Sequence, residues 1–115
     1  MLNKPAGVVS AVSDKDFKTV VELITDNKRK DLFPVGRLDK DTEGLLIITN
    51  NGDMAHRLLS PKHHIDKTYY VVAKGSIDNK YIDEFKNGLV VDKDFTAMPA
   101  KLRYFNITIR MIQHF

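Results

Sequence analysis

Residues 33–52 read FPVGRLDKDTEGLLIITNNG, and the interpretation of this stretch decides how the chain is built. Two apolar runs, Phe33-Pro34-Val35 and Leu45-Leu46-Ile47-Ile48-Thr49, enclose nine residues of which five carry charge. The second run is rich in β-formers and bounded by polar residues, which suits a buried strand. Leu32 to Val35 reads as another strand, with the amide side of Pro34 unpaired because proline has no N–H. A hairpin of the common kind would join two such strands through Asn-Gly or Asp-Gly and be short. Gly36 to Gly44 is longer than that and places an Arg-Leu-Asp against an apolar run.

Outward from this stretch the elements alternate. Met1 to Asn3 is a short apolar start, and Lys4-Pro5-Ala6-Gly7 is a turn punctuated by Pro and Gly. Val8 to Val12 fits either a short strand or an ordered loop. Thr19-Val20-Val21-Glu22 matches a capping box and predicts a short helix to about Thr25, with Val20, Leu23 and Ile24 on its buried face. Asn51 can cap a helix in which Met54, Ala55, Leu58 and Leu59 share one face, leaving His56 and Arg57 turned away. Pro61 closes it. Thr68 to Ala73, TYYVVA, is a strong strand signal. Asp78 can cap a further helix with a stripe of Tyr81, Ile82 and Phe85, ending at Gly88 in a left-handed cap. Two period-two segments follow, Ala100 to Tyr104 and Ile107 to Met111. The expected class is α+β: a mixed, mainly antiparallel sheet of about five or six strands, with about three helices.

Composition narrows the function classes. A chain of 115 residues is at most one domain, long enough to bury a core. It is 43% hydrophobic and 29% charged, as ordinary globular proteins are. It has no cysteine, which excludes disulfides, thiolate catalysis and Cys-ligated zinc. No apolar run approaches a membrane span and no signal peptide is visible, so no membrane partner and a cytoplasmic address are expected. A net charge of +3 permits a nucleic-acid partner without requiring one. Basic residues gather in two places: Lys28-Arg29-Lys30, and the set Arg57, Lys62, His63, His64 and Lys67.

The charged loop fits several chemistries. It could be a solvated turn. Asp39, Asp41, Glu43 and Gly44 match the opening of an EF-hand, but the twelfth position is Asn50 instead of a bidentate glutamate and no helix precedes Asp39. In an extended segment Arg37 and Asp39 would project to one face while Leu38 turned inward to anchor the loop. Asp39 could also be a nucleophile, since an ordinary aspartate is almost wholly ionised near neutral pH without a general base. A nearby guanidinium would keep it charged at the lip of an apolar pocket.

Gly36-Arg37-Leu38-Asp39, followed by Asp41-Thr42-Glu43-Gly44-Leu45-Leu46, resembles the catalytic motif of ribosomal RNA pseudouridine synthases of the RsuA type. Three more segments agree in order and spacing: Met1 to Gly7, Asn50 to Asp53 with His56-Arg57, and Ser60 to His64 with Lys67-Thr68-Tyr69. The resemblance implies isomerisation of a uridine to pseudouridine. Asp39 would be the nucleophile, attacking at the sugar C1′ or the base C6. Tyr69 would stack on the flipped uracil and assist proton loss from C5, and Arg37 would fill the gap left in the RNA stack. Arg57, Lys62, His63, His64 and Lys67 are the implied phosphate partners. The partner would be ribosomal RNA or a pre-ribosomal particle, with 16S small-subunit RNA favoured by the likeness across Ser60 to Tyr69. No cofactor is implied, and adjacent His63 and His64 do not converge easily on a metal.

The family usually carries an S4-type domain before this point. It also continues past the strand matching Asn106 to Ile109, into a segment whose Arg or Lys pairs with the aspartate. Here the chain reads Arg110 to Phe115 and stops. The expectation is therefore a partial catalytic domain over residues 1–115, weakened or inactive through truncation, with uncovered sheet edges inviting self-association. The alternatives are a non-catalytic RNA-binding fragment and an interaction protein that associates without RNA.

Overall fold

The β-rich run of the opening stretch is the centre of the first sheet. In the computed structural model, which describes residues 1–25, 29–73, 75–105 and 108–113, Gly44–Thr49 (β3) lies between Leu2–Lys4 (β1) and Phe33–Val35 (β2). Both pairings are antiparallel, with Leu2 opposite Leu46, Lys4 opposite Gly44 and Pro34 opposite Ile48. The most apolar strand takes the inner place, and the proline-containing strand an outer one, where a residue without N–H is tolerated. Val8, Val20 and Leu46 form the buried centre, and Leu2, Val21, Leu23, Leu38 and Ile48 pack around them. Leu38 does turn inward as its position predicted.

Val8 to Val12 is an ordered loop with one strand-like contact, a parallel bridge between Val9 and Thr19. The Val9 amide donates to the Lys18 carbonyl and the Val20 amide to the Val9 carbonyl, each at 3.0 Å. The expected helix from Thr19 is a run of turns. Its capping box nevertheless forms: the Thr19 amide donates to Glu22 Oε2 at 2.8 Å and the Glu22 amide to Thr19 Oγ1 at 3.4 Å. Val20, Val21, Ile24 and Thr25 are β-branched, which lowers helix propensity, and so short a segment cannot recover the cost of nucleation. The box thus closes a turn.

Gly52–Leu59 (α1) follows β3, capped as expected: the Met54 amide donates to Asn51 Oδ1 at 3.0 Å. Ala55 is buried, and Met54 and Leu58 are half-buried on the same face. After Ser60 a single 3-10 turn covers Pro61–His63.

The chain divides into two compact units, residues 1–63 and 64–115. The second is built on Lys67–Val71 (β4), Lys80–Asn87 (α2), Ala100–Phe105 (β5) and Thr108–Gln113 (β6). β6 is the central strand, antiparallel to both β4 and β5. Helix α2 packs on β5 through half-buried Tyr81, Ile82 and Phe85, near buried Ala100 and Leu102. Asp78 contributes at the start of α2, its carboxylate accepting the Lys80 amide at 3.3 Å. Gly88 ends the helix at φ +95 but with ψ 111, outside the left-handed helical region. A β-carbon there would meet the Ala97 carbonyl oxygen at 2.8 Å, so glycine is required by space as well as by φ.

The expected α+β class with a mainly antiparallel arrangement holds, with two α-helices among the described residues and two three-stranded sheets. Lys28, Asn106, Ile107, His114 and Phe115 lie outside the described residues. Among the described residues no helix is long and apolar enough to cross a membrane.

Candidate active site

The loop between β2 and β3 starts at Gly36, whose φ of +86 reverses the chain and whose missing β-carbon leaves room for Leu59 of α1. A side chain's first carbon there would sit 3.3 Å from Leu59 Cδ2. Beyond it Arg37 and Asp39 are exposed while Leu38 is drawn into the core. Asp39 opens a turn closed by the Thr42 amide, which donates to the Asp39 carbonyl at 3.0 Å. Among the described residues no cation is paired with the Asp39 carboxylate.

Two buried polar side chains from the first ten residues hold this loop by its main chain. Lys4 is fully buried, and its Nζ donates to the carbonyls of Pro5 at 3.0 Å, Lys40 at 2.8 Å and Thr42 at 2.7 Å. Three acceptors match the three donors of an ammonium group. The Gly7 amide adds a bond to the Lys40 carbonyl at 2.9 Å. Ser10 is also buried, donating its hydroxyl to the Leu38 carbonyl at 2.9 Å and accepting the Leu38 amide at 3.1 Å. The sequence reading missed both residues. The signal available for Lys4 was its place at the end of a short apolar start, which register then sets opposite the loop's end at Gly44.

Lys40 lies with its Nζ 4.2 Å from the centre of the exposed Phe17 ring. Phe17 is carried by a turn in which Asp14 Oδ1 accepts the amides of Asp16 and Phe17, both at 2.9 Å. Those two bonds, that of Asp16 foremost, hold the Asp14 carboxyl below the usual carboxylate value against a slight desolvation. At the far end of β3, Asn50 Nδ2 donates to Asp31 Oδ2 at 3.0 Å, and this bond lowers the Asp31 carboxyl.

The remaining predicted contact residues fall on both units. Arg57 is exposed on α1, and Lys62 and His63 are exposed on the 3-10 turn of the first unit. His64, Lys67 and Tyr69 belong to the second unit. His64 is exposed with φ +47, an uncommon conformation that histidine adopts more readily than most residues. Lys67 is half-buried at the start of β4, its Nζ 3.5 Å from the Ile65 carbonyl. Tyr69 is half-buried at the middle of β4, on the face it shares with Lys67 and Val71 and in register with Met111 and Leu102.

The profile of the RNA pseudouridylate synthases matches residues 1–108. The chain belongs to that family. It is 49% identical over 102 residues to an uncharacterized RNA pseudouridine synthase, YtzG, of Bacillus subtilis, covering 88% of this chain and 43% of the relative. It is 43% identical over 103 residues to ribosomal small subunit pseudouridine synthase A of Pseudomonas aeruginosa, covering 89% of this chain and 45% of the relative. A crystal structure of a pseudouridylate synthase superimposes with a TM-score of 0.87 at 32% identity, over 96% of this chain and 48% of the other. The RsuA-type resemblance of the loop is thus matched by relatives along most of the sequence. The chain spans about half the length of the synthases it matches.

Proposed function

We propose that this protein isomerises a uridine of ribosomal RNA, of the 16S small subunit in preference, to pseudouridine, with Asp39 as nucleophile. One observation carries the reading: a loop whose main chain is fixed by buried Lys4 and Ser10 presents an exposed aspartate. A loop serving only as a solvated turn has no need of two buried polar side chains.

In this reading the target base leaves the RNA stack, because its reacting atoms are inaccessible within it, and unstacking costs a few kcal/mol. Arg37, beside Asp39 on the exposed side of Leu38, fills the vacated place. The carboxylate adds at C1′ or C6, the N1 glycosidic bond breaks, the base turns, and a bond forms from C5 to the ribose. The C5 proton leaves with the help of Tyr69, N1 ends protonated, and the carboxylate is released. Atoms and charge balance with no cofactor. Arg57, Lys62, His63, His64 and Lys67 neutralise phosphates, a contribution that falls with salt. Self-association through the outer strands β4 and β5 of the second sheet belongs to the same reading of a partial catalytic domain.

The test is incubation of the chain with 16S and 23S RNA, then chromatography of the digested nucleosides. Pseudouridine is expected in 16S RNA at the reduced rate of a partial catalytic domain, with none above background in Asp39→Asn and unchanged salt-dependent RNA affinity. RNA binding that is indifferent to Asp39, with no pseudouridine formed, would instead establish the non-catalytic RNA-binding alternative.

A further inference from the structure

We propose that Ser10 is a positioning residue for Asp39: its hydroxyl clamps both main-chain polar groups of Leu38 and so sets the direction in which Arg37 and Asp39 leave the loop. The inference rests on Asp39 being the nucleophile. Ser10 and Leu38 are far apart in sequence, yet one oxygen bonds the Leu38 carbonyl at 2.9 Å and the Leu38 amide at 3.1 Å. A hydroxyl suits this, because it donates once and accepts at the same time. No aliphatic side chain of that size can do so.

The clamp stands on a fixed support. The neighbouring Val9 is tied on both sides, its amide to the Lys18 carbonyl and its carbonyl to the Val20 amide, and Val8 and Val20 lie in the buried core. The Leu38 side chain already packs into that core. Apolar packing alone leaves the peptide planes free to rotate about Leu38, and those planes aim its two neighbours. The Ser10 bonds remove that rotation, while the Thr42 amide on the Asp39 carbonyl fixes the next peptide. Ser10 itself is buried behind the loop and touches no reacting atom. Its effect on catalysis is therefore geometric, and misplacing a reacting group by about 1 Å can cost ~10²-fold in rate.

The experiment compares the full chain with Ser10→Ala and Ser10→Thr, reading amide hydrogen exchange by NMR together with kcat and KM for pseudouridine formation. In Ser10→Ala the Leu38 amide should exchange at least ~10-fold faster with the β3 amides unchanged. Turnover should fall ~10- to 100-fold at a KM within about twofold. Ser10→Thr, which keeps the hydroxyl, should restore both. Equal acceleration at Leu38 and along β3 overturns the proposal, since Ser10 would then serve only general stability. An unchanged Leu38 amide, or full turnover in Ser10→Ala, overturns it as well. If the unaltered chain forms no pseudouridine, the functional reading fails separately, and Leu38 exchange in Ser10→Ala still decides the clamp. Should Ser10→Ala not fold, Ser10→Cys takes its place, its weaker thiol bonds giving a smaller acceleration of the same sign.

Discussion

Lysine is among the residues least often buried, and Lys4 is wholly buried. Its burial is tolerable because every donor of the ammonium group meets a carbonyl, two of which belong to the Asp39 loop. A Lys4→Met chain keeps most of the apolar stem and loses all three bonds. The Lys40 carbonyl retains the Gly7 amide, whereas the Thr42 carbonyl loses its bond to the ammonium group. The expected loss is about 1–3 kcal/mol, the usual cost of stranding a buried acceptor. It would be read as a lower urea midpoint at constant slope. An unmoved midpoint would mean that water replaces the ammonium without cost. The sequence did not disclose Lys4 or Ser10 as loop anchors, because hydropathy assigns both types to solvent and only tertiary hydrogen bonding says otherwise. The family was legible through the motif around Asp39, and the inward turn of Leu38 through alternation.

At the scale of elements, the strands were legible where composition is extreme. Leu45 to Thr49 became β3 nearly as read, and Thr68 to Ala73 became β4, shifted toward Lys67. The order β4-β6-β5 was not legible, since pairing Tyr69 with Met111 is a long-range register that no local pattern encodes. The segment from Thr19 shows the converse, a correct local signal whose hydrogen bonds form without a helix to extend them. The turn from Asp14 to Phe17 carries a pH dependence. Its Asp14 carboxyl sits below the value near 3.9 that an unfolded aspartate has, owing to the amides of Asp16 and Phe17. The contribution to the turn is therefore complete above that unfolded value and is lost as pH falls through the lower folded one. NMR titration should show the Asp16 and Phe17 amides and the Phe17 ring moving together, with a midpoint below about 3.9. Asp14→Ala should abolish the transition and weaken the contact of Phe17 with Lys40. A midpoint at the unfolded value would show that the two bonds are not formed in solution.

At the scale of the molecule, two kinds of surface make opposite demands on salt. The second unit exposes Tyr70 at 66% and Val72 at 78%, along with Val90, Phe95 and Met98. Tyr70 lies on β4, an outer strand, and Val72 follows two residues on. Outer strands flanked by apolar side chains invite pairing unless charge or cover prevents it. Sedimentation velocity should therefore show a mass rising above 13.1 kDa with concentration. Sulfate should strengthen this association, as it strengthens apolar burial generally. RNA binding should respond the other way, weakening with salt by a log–log slope of about 0.7 for each phosphate neutralised on a single strand. Placing lysines at Tyr70 and Val72 should keep the chain monomeric and leave the RNA slope no shallower. If instead the unaltered chain sediments as a monomer at every concentration, the apolar surface of the second unit does not drive pairing between copies.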